Sequence, residues 1–431
     1  MTYYKLEPLV LQDKIVYNQI VGRTILHCDL NNFYASVEQK LHPEYDGMPL
    51  AVCGDPKARH GIVLAKNQLA KQAGVKTAET IWEAKQKCPE LVLVEPHFDE
   101  YVKYSKQVFE IYTSFTDRVE SFGIDECWLD VTGCERLFGD GKAIADTLRK
   151  TVKEKTGLTI SVGVSFTKTL AKLGSDLKKP DATTVLDEKH YMQIIGNMPP
   201  SEMIMVGKHT SEKLEKLNIR TIKDLANADR NALRYQFGII ADTLVNAAQG
   251  IETEEVKKYY DVRIPKSVSK GTTTPRNIES ADEAKIVIYA LAEMVALQLR
   301  GYGLVANGVY LAIKNPALNW TSKQMPLSPA SANSGDIAKA TFDLLCKIHN
   351  FSEPLRAITV GAIRLSDRTE VQLSLFDDND GRKEKLDDTI DEIRKKYGYK
   401  AVQRGLLLQN DLTGNLHEED DFKPFHQSKS T

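Results

Sequence analysis

The sequence predicts an α+β protein of several domains, and three features of its pattern carry that expectation. Short apolar runs alternate with helical spacing as far as residue 185. From 186 to about 255 the texture changes to short helices around tight turns. From about 262 to 367 strand-like runs return, interleaved with amphipathic helices, as a second mixed domain. A chain of 431 residues is consistent with this, at about three domains of roughly 150 residues each.

The run ILHCDL (25–30) is apolar up to Asp29 and reads as a buried strand; Phe33, Val37 and Leu41 then follow at helical spacing. MPLAVCG (48–54) is a second strand, closed by Gly54 and Pro56. GIVLAKNQLAKQAGVK begins as a strand and continues as a helix capped by Gly74. Over 99–117, Val102, Val108, Phe109, Tyr112 and Phe115 form one helical stripe, and VESFGIDECWLDV reads as two short β runs meeting at Gly123–Glu126. A helix over 143–155 and a strand over 159–166 complete this part. Further on, 281–300 and 336–349 read as helices, GLVANGVYLAIK and PLRAITVGAIRLSD as strands. The tail predicts a last helix with Leu386, Ile390, Ile393 and Tyr397 on its apolar side.

Hydrophobic residues are 42% and charged residues 27%, a balance that excludes a disordered or fibrous chain. No apolar run approaches the roughly 18 residues of a membrane helix. The start, MTYYKLEPLVLQDK, lacks a basic region followed by an apolar core, so no secretory signal is expected. The cysteines are scattered without a CxxC pair, which predicts a reduced, cytoplasmic protein with no zinc site. The net charge of −2 argues neither for nor against nucleic acid. Charge placement says more: between Val256 and Arg276 stand Lys257, Lys258, Arg263, Lys266, Lys270 and Arg276 against the single acid Asp261.

Two acidic features carry chemistry. Asp29 closes an apolar strand at the start of a helix, and Asp125-Glu126 joins two β runs between apolar neighbours. Buried carboxylates need a cation or hydrogen-bond partners. Three acids at adjacent strand ends could hold two divalent ions roughly 3.5–4 Å apart, which suits phosphoryl or nucleotidyl transfer. Two Mg²⁺ ions are the natural choice, since Mg²⁺ takes carboxylate oxygens and keeps positions for phosphates and water. A strand-end Asp is more commonly a cap or turn residue, and the spacing of the two acidic features decides nothing between these readings.

The surrounding residues resemble a known family. CDLNNFYASVE (28–38) looks like the first motif of the Y-family lesion-bypass DNA polymerases. SFGIDECWLDVTG (121–133) resembles their second acidic motif, SVGVSFTKTLAKLGSDLKKP (161–180) their third, and VGKHTSEKLEKLNIRTIKDL (206–225) the helix-hairpin-helix of their thumb. The motifs stand in the family's order and span about residues 24–367. The resemblance implies a right-hand polymerase: a ferredoxin-like palm (24–47 and 98–185), small fingers (48–97), a helical thumb (186–255), a basic linker (256–276) and a little finger (277–367). Residues 1–23 would be an N-terminal extension and 368–431 a tail.

Carried over residue by residue, the resemblance implies that Asp29, Asp125 and Glu126 are catalytic metal-binding acids, with the backbone carbonyl of Leu30 completing one ion's shell. Tyr34 matches the aromatic gate against a ribose 2′-hydroxyl. Asn32 and Phe33 would border the triphosphate through backbone amides at a helix start, and Lys71 and Lys179 would hold its phosphates. Lys71 stands where many relatives have Arg, and Gln68 where many have Tyr. Asn31 replaces a second Asp of DinB-type members and points to the UmuC-type branch, whose members often act with accessory subunits. Gly207-Lys208-His209 departs from the family's Gly-x-Gly, which removes a turn glycine from the thumb's DNA contact, with Lys208 or His209 a candidate to compensate. Lys266, Lys270 and Arg276 would lie along primer-template DNA, neutralising backbone phosphates without reading bases.

Gln372, Leu373, Leu375 and Phe376 resemble the short peptide by which bacterial replication proteins bind the sliding clamp. Val371, Leu373 and Leu375 also alternate as an edge strand would. The implied function is template-directed, low-fidelity DNA synthesis from deoxynucleoside triphosphates past lesions; no recognisable exonuclease motif set accompanies it. A non-catalytic DNA-binding accessory would suit a chain lacking one of the three acids, and all three are present. Another palm-fold enzyme, such as a nucleotide cyclase, would not need the hairpin helices or the basic stretch.

Overall fold

Strand β1 (Ile25–Leu30) is buried along its whole length. A strand that is apolar without alternation belongs mid-sheet, covered on both faces. In this computed structural model, which describes residues 22–54, 61–261, 264–368, 382–408, 410–413 and 416, β1 is the middle strand of a five-stranded sheet ordered β5-β6-β1-β7-β8. In chain order this part runs β1, α1 (Phe33–Leu41), β2 (Leu50–Cys53), β3 (Val63–Lys66), α2 (Gln68–Gln72), α3 (Ile81–Lys87), β4 (Val92–Val94), α4 (Phe98–Thr113), β5 (Val119–Ser121), β6 (Glu126–Asp130), α5 (Glu135–Phe138), α6 (Gly141–Thr156), β7 (Ile160–Ser165), α7 (Lys168–Leu177) and β8 (Thr183–Val185). A smaller sheet, β3-β2-β4, stands apart with α2 and α3.

Side chains alternate across each strand. Leu26, Cys28 and Leu30, with Cys127 and Leu129 of β6, meet Val108, Ile111 and Tyr112 of α4 and Ile144, Leu148 and Val152 of α6. The other face of β1 and β6 presents His27, Asp29, Glu126 and Trp128, and α7 covers it. That helix sits unusually close. A Cβ added to Gly163 of β7 would fall 1.9 Å from the Ala171 carbonyl oxygen and 2.4 Å from the Ser175 amide nitrogen. Only glycine permits this backbone-to-backbone approach.

Five short helices follow: α8 (Tyr191–Ile195), α9 (Lys208–Lys216), α10 (Ile222–Ala226), α11 (Arg230–Phe237) and α12 (Ile240–Ala248). They enclose their own core, including Leu214, Ile222, Leu225, Leu233, Leu244 and Val245. Gly207 caps α9, and the exposed Lys208 and His209 open it.

The basic stretch 256–276, expected as a linker, divides into two structured parts with a short join. Its start is strapped to the first sheet. Val256 is fully buried against Ile25, Trp128 and Ala171. The Lys257 amide donates to Glu120, whose carboxylate lies 2.9 Å from the buried Lys168 ammonium. Lys258 pairs with Asp117 at 2.9 Å, and the Tyr260 hydroxyl lies 3.4 Å from the same carboxylate. Its end is already strand β9 (Ser267–Ile278), ten residues earlier than the little-finger boundary expected at 277. The strand was hidden because it is a sheet edge with most side chains outward, so Val268 and Ile278 are almost its only buried apolar positions.

The chain then runs α13 (Ala281–Tyr302), β10 (Leu304–Lys314), β11 (Trp320–Ser331), α14 (Ser334–Ile348) and β12 (Leu355–Asp367). These strands form an antiparallel sheet ordered β11-β10-β12-β9. The sequence reading missed β11, which is polar and contains Pro326 and Pro329; as an edge strand it tolerates both.

The last helix, α15 (Arg382–Tyr397), exists as expected but not through its apolar stripe. Leu386 and Tyr397 are exposed, and the buried positions are Asp387 and Arg394. Asp387 and Asp391 hold Arg300 of α13 at 3.2 and 2.6 Å, and Arg394 meets Glu293 at 2.7 Å. The surface it covers is itself charged, so ion pairs dock it. Residues 1–21 and 369–381, the latter with Gln372, Leu373, Leu375 and Phe376, lie outside the described residues. No helix among the described residues is long and apolar enough to cross a membrane.

Candidate active site

The β1–β6 register sets Asp29 directly opposite Glu126. Leu30 ends β1, and its amide donates to the Asp125 carbonyl at 3.0 Å, tying the acidic turn to the strand. Asp29 is buried and Glu126 half-buried, its side chain 21% exposed. From α7, Lys172 reaches within 3.1 Å of Asp29 and 3.0 Å of Glu126. Just past the helix, Lys179 lies 2.7 Å from Asp29 and 2.8 Å from Asp176. Behind them the buried His27 ring lies between Ser175, at 2.9 Å, and Glu126, at 3.2 Å, with its edge towards Trp128.

The charges are strongly perturbed. Burial, then the nearby Asp29 and Glu126, push the Asp125 carboxyl up to about 6. Burial raises Glu126 as well, but His27 and Lys172 outweigh it and hold that carboxyl at about 2. Burial lowers the His27 imidazole below its usual value. Lys179 is opposed by burial, yet Asp29 and Asp176 raise it overall. Among the described residues no three His, Cys, Asp or Glu side chains are already gathered as ligands around one point. The donor set nevertheless suits hard divalent cations: carboxylates crowded at two strand ends, one of them driven towards protonation by the others.

Beside this cluster, Asn32 caps α1 in a left-handed conformation, φ 50° and ψ 40°, and Phe33 packs inward. Tyr34 lies half-buried and stacks on Tyr101, ring centroids 4.2 Å apart and planes 10° from parallel. Tyr101 is itself hydrogen-bonded to the buried Glu38, which also holds His97. Asn31 turns away from the acids: its amide donates to Thr159 at 3.1 Å and accepts from Ser161 at 2.8 Å.

The structure therefore brings together Asp29, Asp125, Glu126 and Lys179. Lys71 is separate, exposed on α2 near Lys66, whose ammonium is lowered by burial and by Lys71. Lys208 and Lys266 are exposed and Lys270 half-buried. Arg276 is engaged by Glu283 and Asp411, each at 2.7 Å. Sequence reasoning did not single out Lys172 or His27. Their signal was positional: Lys172 stands seven residues, two helical turns, before Lys179, and His27 shares a strand face with Asp29.

The model of the impB/mucB/samB family matches residues 28–176, and that of its C-terminal domain matches 265–375. A DNA polymerase IV of Acetivibrio thermocellus is 45% identical over 395 residues, 90% of this chain and 98% of the relative. The chain belongs to the Y family of translesion DNA polymerases. A DNA polymerase IV of Moorella thermoacetica is 35% identical over 389 residues, 89% of this chain and 96% of the relative. A solved Y-family DNA polymerase chimera, Dbh-Dpo4(243-245)-Dbh, shares the fold at a TM-score of 0.71 and 23% identity, covering 80% of this chain and 99% of the chimera. As a Y-family polymerase, the chain is a DNA-directed DNA polymerase; its five-stranded sheet is the palm and its four-stranded antiparallel sheet the little finger. The placement in the UmuC-type branch rests on Asn31 alone, since the two relatives named here are DNA polymerases IV.

Proposed function

We propose that this polymerase copies damaged DNA with low fidelity by two-metal nucleotidyl transfer, with Asp29, Asp125 and Glu126 holding the ions and the Leu30 carbonyl completing one shell. The supporting observation is the in-register pairing of Asp29 with Glu126 beside Asp125, whose carboxyl burial and its neighbours push up to about 6. When bound, two Mg²⁺ ions activate the primer 3′-hydroxyl and neutralise the triphosphate. The chain's own part is positioning. Lys179 and Lys71 hold phosphates from two sides, the amides at the start of α1 border them, and Tyr34 forms the floor under the sugar. The separate position of Lys71 on the fingers suits a residue that meets the nucleotide as the fingers and palm enclose it. Lys208, Lys266 and Lys270 are placed to neutralise the primer-template backbone. For Arg276 to join them, it would have to leave Glu283 and Asp411.

Primer extension on a templated hairpin with deoxynucleoside triphosphates and Mg²⁺ tests the reading, on an undamaged and an abasic template. Extension on both is expected. A chain that binds the hairpin but extends neither would be an accessory protein instead.

The bacterial sliding clamp is the proposed partner of Gln372, Leu373, Leu375 and Phe376. Leu375→Ala with Phe376→Ala removes two apolar anchors, each worth about 1.5–3 kcal/mol if fully buried. The double variant is expected to bind clamp at least tenfold more weakly, with unchanged extension of a short template. Calorimetric titration of a 368–380 peptide against clamp checks it, beside a thermal melt of the variant. A silent peptide together with a destabilised variant would make Val371–Leu375 an edge strand.

A further inference from the structure

The Lys172 ammonium lies 3.1 Å from Asp29, 3.0 Å from Glu126 and 3.4 Å from Asp176. It spans two acids that are cross-strand partners, and its side chain is 16% exposed. Two carboxylates on adjacent strands repel each other, and burial strengthens the repulsion. The Lys172 ammonium, the one that touches both acids, offsets it, with Lys179 adding a second positive charge against Asp29 alone. The close seat of α7 on Gly163 fixes how far Lys172 can stand from the strands.

We propose that Lys172 is the resident counter-ion of the acid pair, holding Asp29 and Glu126 together until a divalent ion binds and then giving up their oxygens to it. The inference rests on the assignment of these acids as metal-holding groups. The helix provides for the exchange. Asp176 lies one turn further along α7 and is more exposed, at 39%. A displaced ammonium therefore keeps an acidic partner on its own helix, and only its flexible stem has to swing. Lys179 pairs with the same Asp176 and with Asp29, so both lysines already touch the same two carboxylates. Lys172 acts through the acids and is a positioning residue.

A metal that must displace an ammonium binds more weakly than one that meets the acids unopposed. The full chain carrying Lys172→Met, without DNA or nucleotide, is expected to bind Mn²⁺ about tenfold more tightly than wild type by electron paramagnetic resonance titration. Its melting temperature is expected to fall in chelator and to recover in saturating Mn²⁺, because the ion then replaces the missing cation. A merely structural lysine would leave Mn²⁺ binding unchanged or weaker and lower the melt equally in both buffers; that result overturns the proposal. Lys172→Gln serves as a second neutral variant should the first not fold. Glu126→Gln separates this outcome from failure of the underlying assignment: if it leaves Mn²⁺ binding as in wild type, the acids are not the metal site and the proposal falls with them.

Discussion

Asp125→Ala and Glu126→Ala are each expected to abolish primer extension, by at least about 10³-fold or roughly 4 kcal/mol of transition-state stabilisation, while duplex binding stays near wild type. The two losses differ in origin. Glu126 is the partner of Asp29 across the strands and the group braced by His27. Its removal leaves Lys172 and Lys179 concentrated on Asp29, which raises the positive charge an incoming cation meets. Asp125 forms the turn, and its carboxyl is the one driven towards protonation. Its removal eases the crowding of the other two and, on the two-metal proposal, takes away one ligand. Single-turnover extension with anisotropy on a labelled primer-template separates catalysis from binding. Wild-type extension in either variant would end the two-metal assignment.

Tyr34→Ala is expected to lower discrimination against ribonucleotides by about 10²–10³-fold, roughly 2.7–4 kcal/mol. Excluding a 2′-hydroxyl requires a ring that is held in place, and Tyr34 is backed by two other rings. Tyr101 stacks behind it at 4.2 Å, Phe98 stands edge-on at 6.0 Å, and Tyr101 is pinned by Glu38. A rigid wall turns one oxygen atom into a clash. Tyr34→Phe keeps the ring and is expected to keep the discrimination. Single-nucleotide insertion, read as the ratio of kcat/KM for deoxynucleotide and ribonucleotide, checks both variants. An unchanged ratio in Tyr34→Ala removes the gate.

What the sequence made legible follows from burial. β1, β6 and β7 are apolar because they lie inside a covered sheet, and the acids that interrupt β1 and open β6 stood out against that background. Strands β9 and β11 were illegible for the opposite reason: each borders its sheet, turns mostly polar side chains outward, and so lacks a readable alternation. The helix α15 was legible as a helix but not in its contacts, because charge rather than apolar area docks it. Lys172 and His27 escaped notice because neither has meaning until β1, β6 and α7 are brought together. One is a lysine on an amphipathic helix and the other a histidine in an apolar strand, and most such residues do nothing chemical.

The strap that carries Val256 and Tyr260 onto the palm sets a limit on motion elsewhere. Tyr260 is held to the palm and the little-finger sheet begins at Ser267, so residues 261–266 join them. Six residues at full stretch span about 20 Å. The little finger is thus a load on a short leash: the tether sets how far it can stand from the palm without fixing which way it faces. The separation of the acid cluster from the little-finger sheet is capped by the length of a single tether, whatever the orientation of that domain.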